Sequence, residues 1–567
     1  MATLLLRIPF FAHTLYNWDS VNYALGLERF SVASHQPHAP GYIFYIAAGR
    51  LLQAVLDDAN SALVAMSIIG SAAAVAGIYL AGQSIFNRTT GLVAALLLMF
   101  SALDWFYADI ASPYSFMLPI IIACIWFIYQ LIFHRRYTIA GAFVLGIAGG
   151  FRPEILFFLG PFWLFGTLRI GPRKMFIAWG VLAVSILVWL VPLVYLDGGI
   201  TAFRQVSNDQ YISGVEPSSI FSAGIDAVKV NFKRVLQAVF WMFGPACLGL
   251  IYAAGLFLVP KSLRNERLKV LFLLLILLLP FAFFILFLFD PLGYLLLYVA
   301  PLLLLAARGI AVVEEWLAEK IENPRQAFAP LAVFLIVVSL FNGYLFLEGS
   351  RISWHLPTTG PLEDVFAAYS AGGISEADNE MNATIDTASR FDPGNTVLVT
   401  TAEPFTPFIA DWRRLMYYLP DYTTVMLRKE PGGGFLIGFE HEYTDRRAPV
   451  FQLPSNAKQI LLMETHPAQN IFPRNLTPVD SNGTGVYMSL LDIPPDGRLQ
   501  IGNSALIRLG KRSDKQAVAR HVDHRWGKRP LAHALICLSL RDRAVMNRDE
   551  SKQRPRHVVR QRHLHRV

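Results

Sequence analysis

The sequence is poor in charge for its length. Only 16% of its 567 residues are Asp, Glu, Lys or Arg, whereas a soluble domain has about a quarter. Long apolar runs fill residues 62–347, and the charges collect in the short gaps between those runs. This pattern excludes one large water-soluble core and indicates helices that cross a membrane.

Cysteine pairs and a basic body are missing as well. The three cysteines, Cys124, Cys247 and Cys537, lie far apart, which excludes a CxxC metal or redox motif. The net charge of +8 comes from the C-terminal end, because 16 Lys and Arg and only 5 Asp and Glu follow residue 510. The rest of the chain is close to neutral, so the sequence does not predict binding to nucleic acid.

Ten apolar runs are long enough, or nearly long enough, to cross a bilayer as helices. We predict an all-α polytopic membrane helical bundle of about 10–11 spans. The runs occupy about 62–84, 91–104, 113–133, 138–150, 155–168, 175–196, 236–259, 268–289, 292–307 and 327–347.

Basic residues cluster in alternate gaps between these runs, which marks those gaps as cytoplasmic. The intervening gaps, residues 1–61 and everything after residue 348 then lie on the other side. This pattern predicts a multi-pass protein of the bacterial inner membrane whose active face opens to the periplasm or exterior. Since no full span precedes residues 1–61, we expect a first helix of which Leu4–Phe11 is the remaining end. Residues 42–55 look amphipathic enough to lie on the membrane surface.

The composition becomes that of a soluble domain at residues 348–510, where we predict a small extracytoplasmic α/β domain. Residues 511–567 are rich in Arg and His and are interpreted as a disordered basic tail, or as translated sequence outside the original domain. The predicted strands are Asn395–Thr401, Gln459–Met463 and Val486–Leu491, and the predicted helices lie around Glu363–Tyr369 and Pro407–Tyr418.

Carboxylates lie at the predicted membrane edge in two external gaps. Asp19 follows Trp18 in an aromatic segment, and Asp104 and Asp109 lie in the next gap. A partly desolvated carboxylate beside aromatic rings suits a general base that acts on a sugar. Acids near the hydrocarbon edge are costly and indicate function. The alternatives are a helix-capping Asp19 beside an anchoring Trp18, and solvated loop acids in the second gap.

Cations occupy the later external gaps. Arg152 lies beside Glu154 between two short apolar runs, where it could bind a phosphate bidentately or form a structural ion pair with Glu154. Arg204 and Lys233 are weaker candidates for the same phosphate, and contact with lipid headgroups explains Lys233 equally well. Tyr294 lies in the last external gap.

These polar groups all lie on one predicted face of the membrane. A transporter would need ionisable groups or broken helices near the midplane, and usually internal repeats. An enzyme that acts on a lipid headgroup needs its carboxylates and cations at one interface, and the sequence favours this reading. A flippase for a lipid-linked sugar and a non-catalytic membrane scaffold are the alternatives.

Asp19, followed by the turn His38-Ala39-Pro40-Gly41-Tyr42, resembles the polytopic membrane glycosyltransferases of the C superfamily, in particular protein O-mannosyltransferase-like and family 39-like members. Their pattern is an acid after the first helix and then a His-Pro-Pro-Gly-Tyr-type turn, from which Ala39 departs. Residues 107–114 resemble the family's second acidic motif, and residues 293–298 resemble a late segment.

The resemblance implies an inverting transfer of mannose or a similar hexose from a polyprenyl- or dolichyl-phosphate carrier to a protein, glycan or lipid acceptor. Asp19 would take the proton from the acceptor hydroxyl, and Asp109 would orient the region of Asp19 or the acceptor. Arg152 would stabilise the phosphate leaving group, with Arg204 and Lys233 as weaker candidates.

The same resemblance makes His38, Tyr42, Glu154 and Tyr294 candidates for contact with the substrate. No cofactor is expected. A divalent ion held by Asp19, Asp109 and His38 is the less favoured alternative.

Overall fold

The computed structural model describes most of the chain as far as residue 508. The described residues are 1–210, 216–246, 264–287, 292–321, 323–349, 368–401, 411–429, 435–438, 447–448, 450–464, 476–479, 487–501 and 504–508. Some predictions lie outside these residues: the tail 511–567, the second half of the run 236–259, the gap residues 290–291 and most of the helix around 363–369.

Helices make up the first 350 residues, as the apolar runs predict. They are α1 Ala2–Arg7, α2 Trp18–Glu28, α3 Ile43–Leu56, α4 Ala59–Ile85, α5 Arg88–Met99, α6 Ala102–Ala108, α7 Pro113–His134, α8 Thr138–Phe151, α9 Glu154–Thr167, α10 Pro172–Leu196, α11 Ile200–Gln210, α12 Ile220–Phe243, α13 Arg264–Leu286, α14 Gly293–Leu297, α15 Val299–Lys320 and α16 Pro324–Glu348.

Short polar residues begin several of these helices. The side chains of Asn17, Asp58 and Asn87 accept backbone N–H groups in the first turns of α2, α4 and α5. Such caps satisfy donors that the helix itself leaves unpaired. The apolar residues between the caps then have every backbone group bonded within the helix, which a bilayer requires.

Five of the described helices are long and apolar enough to cross a membrane by themselves: α4, α7, α10, α13 and α16. The pair α5 and α6 forms a sixth such unit if its 59° bend is counted within one span. The helices α8 and α9 are apolar but shorter, at 14 residues each. The predicted fold class, a polytopic membrane helical bundle, is therefore confirmed, and the predicted runs coincide with helices wherever they are described.

Polar contacts gather at the two ends of the bundle. At one end, Arg308 of α15 pairs with Glu315, and the amide of Asn87 donates to the same carboxylate at 2.7 Å. At the opposite end of α4, the amide of Asn60 donates to the carbonyl of Ala12 at 2.8 Å. The first end collects gaps predicted to be cytoplasmic, and the second collects the segment that contains Asp19.

The C-terminal region forms the predicted α/β domain. Its seven-stranded sheet has the order β4-β3-β2-β1-β6-β8-β7, in which β1 runs parallel to β2 and β6, and a three-stranded sheet has the order β5-β10-β9. The elements are α17 Ala371–Ala388, β1 Thr396–Thr400, α18 Trp412–Tyr418, β2 Thr423–Lys429, β3 Phe435–Gly438, β4 Arg447–Ala448, β5 Val450–Leu453, β6 Gln459–Glu464, β7 Thr477–Val479, β8 Tyr487–Asp492, β9 Arg498–Ile501 and β10 Ser504–Arg508.

The three strands predicted from sequence match β1, β6 and β8 within one residue at each end. All five residues of β1 and five of the six residues of β6 are buried. The helix predicted around Pro407–Tyr418 corresponds to α18, which begins at Trp412.

A close contact between α4 and α7 supplies a test of the bundle. A Cβ atom added at Gly70 would lie 2.3 Å from the Cα of Phe116 and 2.6 Å from the carbonyl oxygen of Ser115. Because backbone cannot yield as a side chain can, Gly70→Ala is expected to lower the Tm in detergent by about 5 °C or more.

The matched control for this test is Gly180→Ala on α10, where an added Cβ meets nothing within 4 Å. Alanine is the better helix former, so this variant should keep or slightly raise the Tm. Equal Tm values for the two variants would contradict the α4–α7 contact.

Candidate active site

Asp19 lies in the first turn of α2, where the helix N-terminus favours a negative charge. The side chain of Asn17 fixes this turn by accepting the N–H of Ser20 at 3.0 Å. The Ser20 hydroxyl donates to the carbonyl of Ala111 at 2.8 Å, which ties α2 to the second acidic segment. The side chain of Asp19 is 21% exposed to solvent, although its neighbours Trp18 and Ser20 are buried. The carboxylate is therefore held in place and open to an incoming group.

The turn from His38 to Tyr42 brings an imidazole next to this carboxylate. Gly41 has a φ of +99°, and a Cβ atom there would lie 2.6 Å from a methyl group of Leu193, so both the turn and the packing require glycine. The Gly41 N–H donates to the His38 carbonyl at 3.0 Å. His38 Nδ1 then lies 3.4 Å from Asp19 Oδ1.

Burial, together with the nearby positive charge of Arg152, lowers the pKa of His38 to about 3. The imidazole is thus neutral at physiological pH, and its approach to Asp19 is a polar contact and not an ion pair.

Aromatic rings form the wall behind this pair. The ring of His38 lies 5.5 Å from that of Tyr23 and 5.2 Å from that of Tyr42, and the two tyrosine rings are 5.2 Å apart. Tyr23 and Tyr42 are both buried. Rings around a carboxylate exclude bulk water and offer flat apolar faces of the kind that bind sugars.

Arg152 lies on the other side of Tyr42, at the junction of α8 and α9. Its Cζ atom is 4.5 Å from the ring centre of Tyr294, 5.7 Å from that of Tyr42 and 5.8 Å from that of Tyr114. Its Nε donates to Glu154 Oε1 at 2.7 Å. The guanidinium is buried, and its Nη1 has no hydrogen-bond partner among the described residues. One donor of this cation therefore remains for a ligand.

The structure thus brings six of the predicted site residues into one cluster. Asp19 contacts His38, His38 contacts Tyr42, and Tyr42 contacts Arg152, which in turn contacts Glu154 and Tyr294. Two further tyrosines, Tyr23 and Tyr114, complete it. We call this set of eight residues the Asp19–Arg152 cluster.

Asp109 lies outside that cluster. It is fully buried, its charge is near those of Arg7 and Asp104, and neither of its carboxylate oxygens has a hydrogen-bond partner in the described part of the chain. Its backbone carbonyl accepts the N–H of Ala12 at 2.7 Å. The position suits an indirect role on the segment before α2, and the predicted catalytic role of Asp109 stays a prediction.

Asp104 is not a solvated loop acid but the centre of a buried polar network. Its carboxylate accepts Arg7 at 3.3 Å, the hydroxyl of Ser71 at 2.7 Å and that of Ser115 at 2.9 Å. Arg7 also donates to the carbonyl of Met99 at 2.9 Å. The network joins α1, α4, α6 and α7, and is structural in character.

Arg204 and Lys233 lie on α11 and α12. Arg204 is exposed, and α11 packs on the turn Val32–Ser34 that precedes His38. Lys233 is half-buried on α12, which packs against α6, α13 and α16. The phosphate-binding roles of both residues stay predictions.

An apolar groove lies between α7 and α8, with a volume of about 340 Å³. One of its lining residues is Phe151, which directly precedes Arg152 in sequence. Its lining contains Pro119, Ile120, Ala123, Phe143, Val144, Ile147 and Phe151. Within the described ranges, no group of three or more His, Cys, Asp or Glu side chains is placed to hold a metal ion.

The α/β domain reaches the same end of the bundle, a contact that sequence analysis missed. The Asp378 carboxylate on α17 accepts the backbone N–H groups of His13 and Thr14, both at 2.8 Å. The hydroxyl of Tyr418 on α18 accepts the N–H of Leu15 at 2.7 Å. No local pattern could reveal these contacts, because the partners are more than 360 residues apart in sequence.

The depressed pKa of His38 predicts a pH-dependent stability. The unfolded chain takes up a proton on this residue below about pH 6.5, but the folded protein does so only near pH 3. Folding stability is therefore lost as the pH falls through this window. The variant His38→Gln has no imidazole and does not show this loss. As the pH is lowered from 7.5 to 4.5, the Tm of the wild type minus that of the variant should therefore decrease by a few degrees. A gap that stays constant across this range would contradict a buried neutral imidazole.

Comparisons with known proteins bear on the fold. Searches with protein-family models and among curated proteins find no match. The structure is similar to that of ArnT from Cupriavidus metallidurans, in the apo state with a TM-score of 0.50 and bound to undecaprenyl phosphate with a TM-score of 0.53. In both comparisons the identity is 13%, and the match covers 86% of this chain and 96% of that chain. The Archaeoglobus fulgidus oligosaccharyltransferase, in complex with Zn and sulfate, is also similar over 81% of this chain and 66% of that chain, with 13% identity, but its TM-score of 0.43 is too low to carry an argument. These similarities concern the fold alone: the chain shares the overall fold of ArnT from Cupriavidus metallidurans, in agreement with the fold that the sequence resemblance implies.

Proposed function

We propose that the protein is a membrane glycosyltransferase that transfers a hexose, with mannose as the first candidate, from a polyprenyl-phosphate carrier to a hydroxyl group of an acceptor on the extracytoplasmic side. The observation that carries this proposal is the Asp19–Arg152 cluster. It holds a partly open carboxylate and a buried guanidinium on two sides of one tyrosine-lined site. These are the two charges that displacement of a phosphate from a sugar requires.

Asp19 is suited to be the general base. Its carboxylate takes the proton of the acceptor hydroxyl while that oxygen forms a bond to the anomeric carbon. The bond from that carbon to the phosphate oxygen breaks, and its electron pair leaves with the lipid phosphate. Attack from the face opposite the leaving group inverts the anomeric centre. His38 is neutral at physiological pH and therefore adds no positive charge beside the carboxylate of Asp19.

Arg152 is suited to bind the departing phosphate. Negative charge grows on the leaving oxygen in the transition state, and a preorganised cation in a water-poor site stabilises it strongly. Tyr294 and Tyr42 fix the plane of the guanidinium, and its free Nη1 donor supplies a hydrogen bond. Glu154 holds the other side of the group, so that only part of the guanidinium faces a ligand.

The carrier lipid fits the surroundings of Arg152. The apolar groove between α7 and α8 is lined in part by Phe151, the residue before Arg152, and we assign this groove to the prenyl chain. ArnT from Cupriavidus metallidurans, which has a similar fold, has been crystallised with undecaprenyl phosphate. We propose the same class of carrier here, and a protein, glycan or lipid as the acceptor.

A flippase is the competing function, and the two readings differ in their products. A transferase makes a new glycosidic bond from purified protein, labelled polyprenyl-phosphate mannose and membrane extract. A flippase moves the labelled lipid across a proteoliposome membrane and leaves it chemically unchanged. The preference for the transferase rests on the cluster's position at the end of the bundle.

Asp19→Asn is expected to lower the rate of sugar transfer by about 10²–10⁴-fold, because the amide cannot accept the proton. The measurement is transfer of label from polyprenyl-phosphate mannose in detergent. Glu28→Gln is the matched control, since Glu28 is an exposed carboxylate at the end of the same helix and should keep the wild-type rate. Full activity of Asp19→Asn would remove Asp19 from the role of base.

Arg152→Gln is expected to lower kcat/KM for the donor by roughly 10²–10³-fold, since a neutral amide cannot offset the charge of the leaving phosphate. Arg152→Lys should recover part of this loss, because it restores the charge without the planar fork. Arg173→Gln, at an exposed position at the start of α10, is the control. Equal kcat/KM for Arg152→Gln and Arg173→Gln would refute phosphate binding by Arg152.

A further inference from the structure

Arg413 is a buried cation of the α/β domain that lies against the bundle. It belongs to α18, whose start is fixed by the Asp411 carboxylate, which accepts the N–H groups of Arg413 at 2.8 Å and Arg414 at 3.0 Å. Only 2% of Arg413 is exposed. A guanidinium is not buried to this extent without strong compensation, so its partners identify what it holds.

The guanidinium of Arg413 donates hydrogen bonds to α2 and to the loop that precedes His38. Its Nε donates to the side-chain oxygen of Asn22 on α2 at 2.9 Å. Its Nη2 donates to the backbone carbonyls of Ser34 at 2.8 Å and His35 at 3.0 Å. The first partner lies one turn after Asp19, and the other two lie just before the turn that contains His38.

Indole rings surround this contact. The Cζ atom of Arg413 lies 5.7 Å from the ring centre of Trp18 and 5.1 Å from that of Trp412. The two indole rings are themselves 5.1 Å apart in an edge-to-face arrangement. Trp18 directly precedes Asp19, so the aromatic contact and the hydrogen bonds act on the same turn of α2.

We propose that Arg413 is a positioning residue of the active site, through which the α/β domain sets the distance between Asp19 and His38. It binds the helix that contains Asp19 and the loop that contains His38 through one rigid, planar group. Neither α2 nor the loop can shift relative to the other without breaking a bond to Arg413. The α/β domain is on this view a part of the catalytic apparatus and not an appended module.

This inference rests on the proposed function for its catalytic meaning, but its structural part can be tested without substrate. Arg413→Lys keeps the charge and loses the fork that reaches three acceptors at once. Amide hydrogen exchange in residues 18–28 and 31–38 is expected to become about tenfold faster in this variant, with the strands β1, β6 and β8 unchanged. Arg428→Lys, at an exposed position on β2, is the matched control and should leave exchange as in the wild type.

The catalytic role of Arg413 is tested by measuring kcat and KM separately. Arg413→Lys should lower kcat by about 10- to 100-fold, because small displacements of a reacting group are costly. The KM for polyprenyl-phosphate mannose should stay within about twofold, since Arg152 is untouched. A Tm close to that of Arg428→Lys shows that the loss is not unfolding. A kcat equal to that of Arg428→Lys would overturn the proposal.

Asn22→Leu offers a second route, should Arg413→Lys fold poorly. It removes the acceptor on α2 and keeps the side-chain size. If Arg413 acts through Asn22, the fold decrease in kcat of the double variant Arg413→Lys, Asn22→Leu is clearly smaller than the product of the fold decreases of the two single variants. Independent, multiplicative losses would overturn the proposal. If the wild type forms no glycosidic bond, the proposed function fails, and unchanged exchange in Arg413→Lys then overturns the positioning role as well.

Discussion

The burial of the Arg152 guanidinium at the end of an apolar bundle is the constraint on which the candidate active site depends. Removing such a charge from water costs several kcal/mol, and an unpaired buried cation would be expelled or would unfold its surroundings. Glu154 and the faces of Tyr42, Tyr114 and Tyr294 offset that cost from three directions. The same arrangement brings α3, α7, α9 and α14 to one point. A cation that is stabilised in this way but keeps one free donor is ready for an anion.

Much of this arrangement could be predicted from the sequence, because the signals are local. Apolar runs fix the helices, alternation of basic gaps groups the loops by side, and the turn before Tyr42 marks the cluster. Local sequence patterns do not predict contacts between residues that are far apart in sequence. Nothing near Asp104 and Asp109 in sequence shows that Arg7 pairs with the first, or that the carboxylate of the second accepts no hydrogen bond from the described residues.

In the α/β domain, too, local structure could be predicted from the sequence but a long-range contact could not. Its strands β1, β6 and β8 were predictable because alternation and apolar runs are properties of the strand itself. Its contact with the bundle was not, since α18 reads as an ordinary short helix with two arginines. Only the fold shows that Arg413 is directed at α2 and that Asp378 accepts the amides before it.

The clamp on the segment before α2 has a consequence for biosynthesis. His13 and Thr14 are synthesised some 365 positions before their acceptor Asp378. At 5–20 residues per second, the segment waits roughly 20–70 s for its partner. During that interval the segment before α2 lacks its bonds to Asp378. If the proposed function holds, the newly made chain is therefore expected to stay inactive until the α/β domain has folded against the bundle.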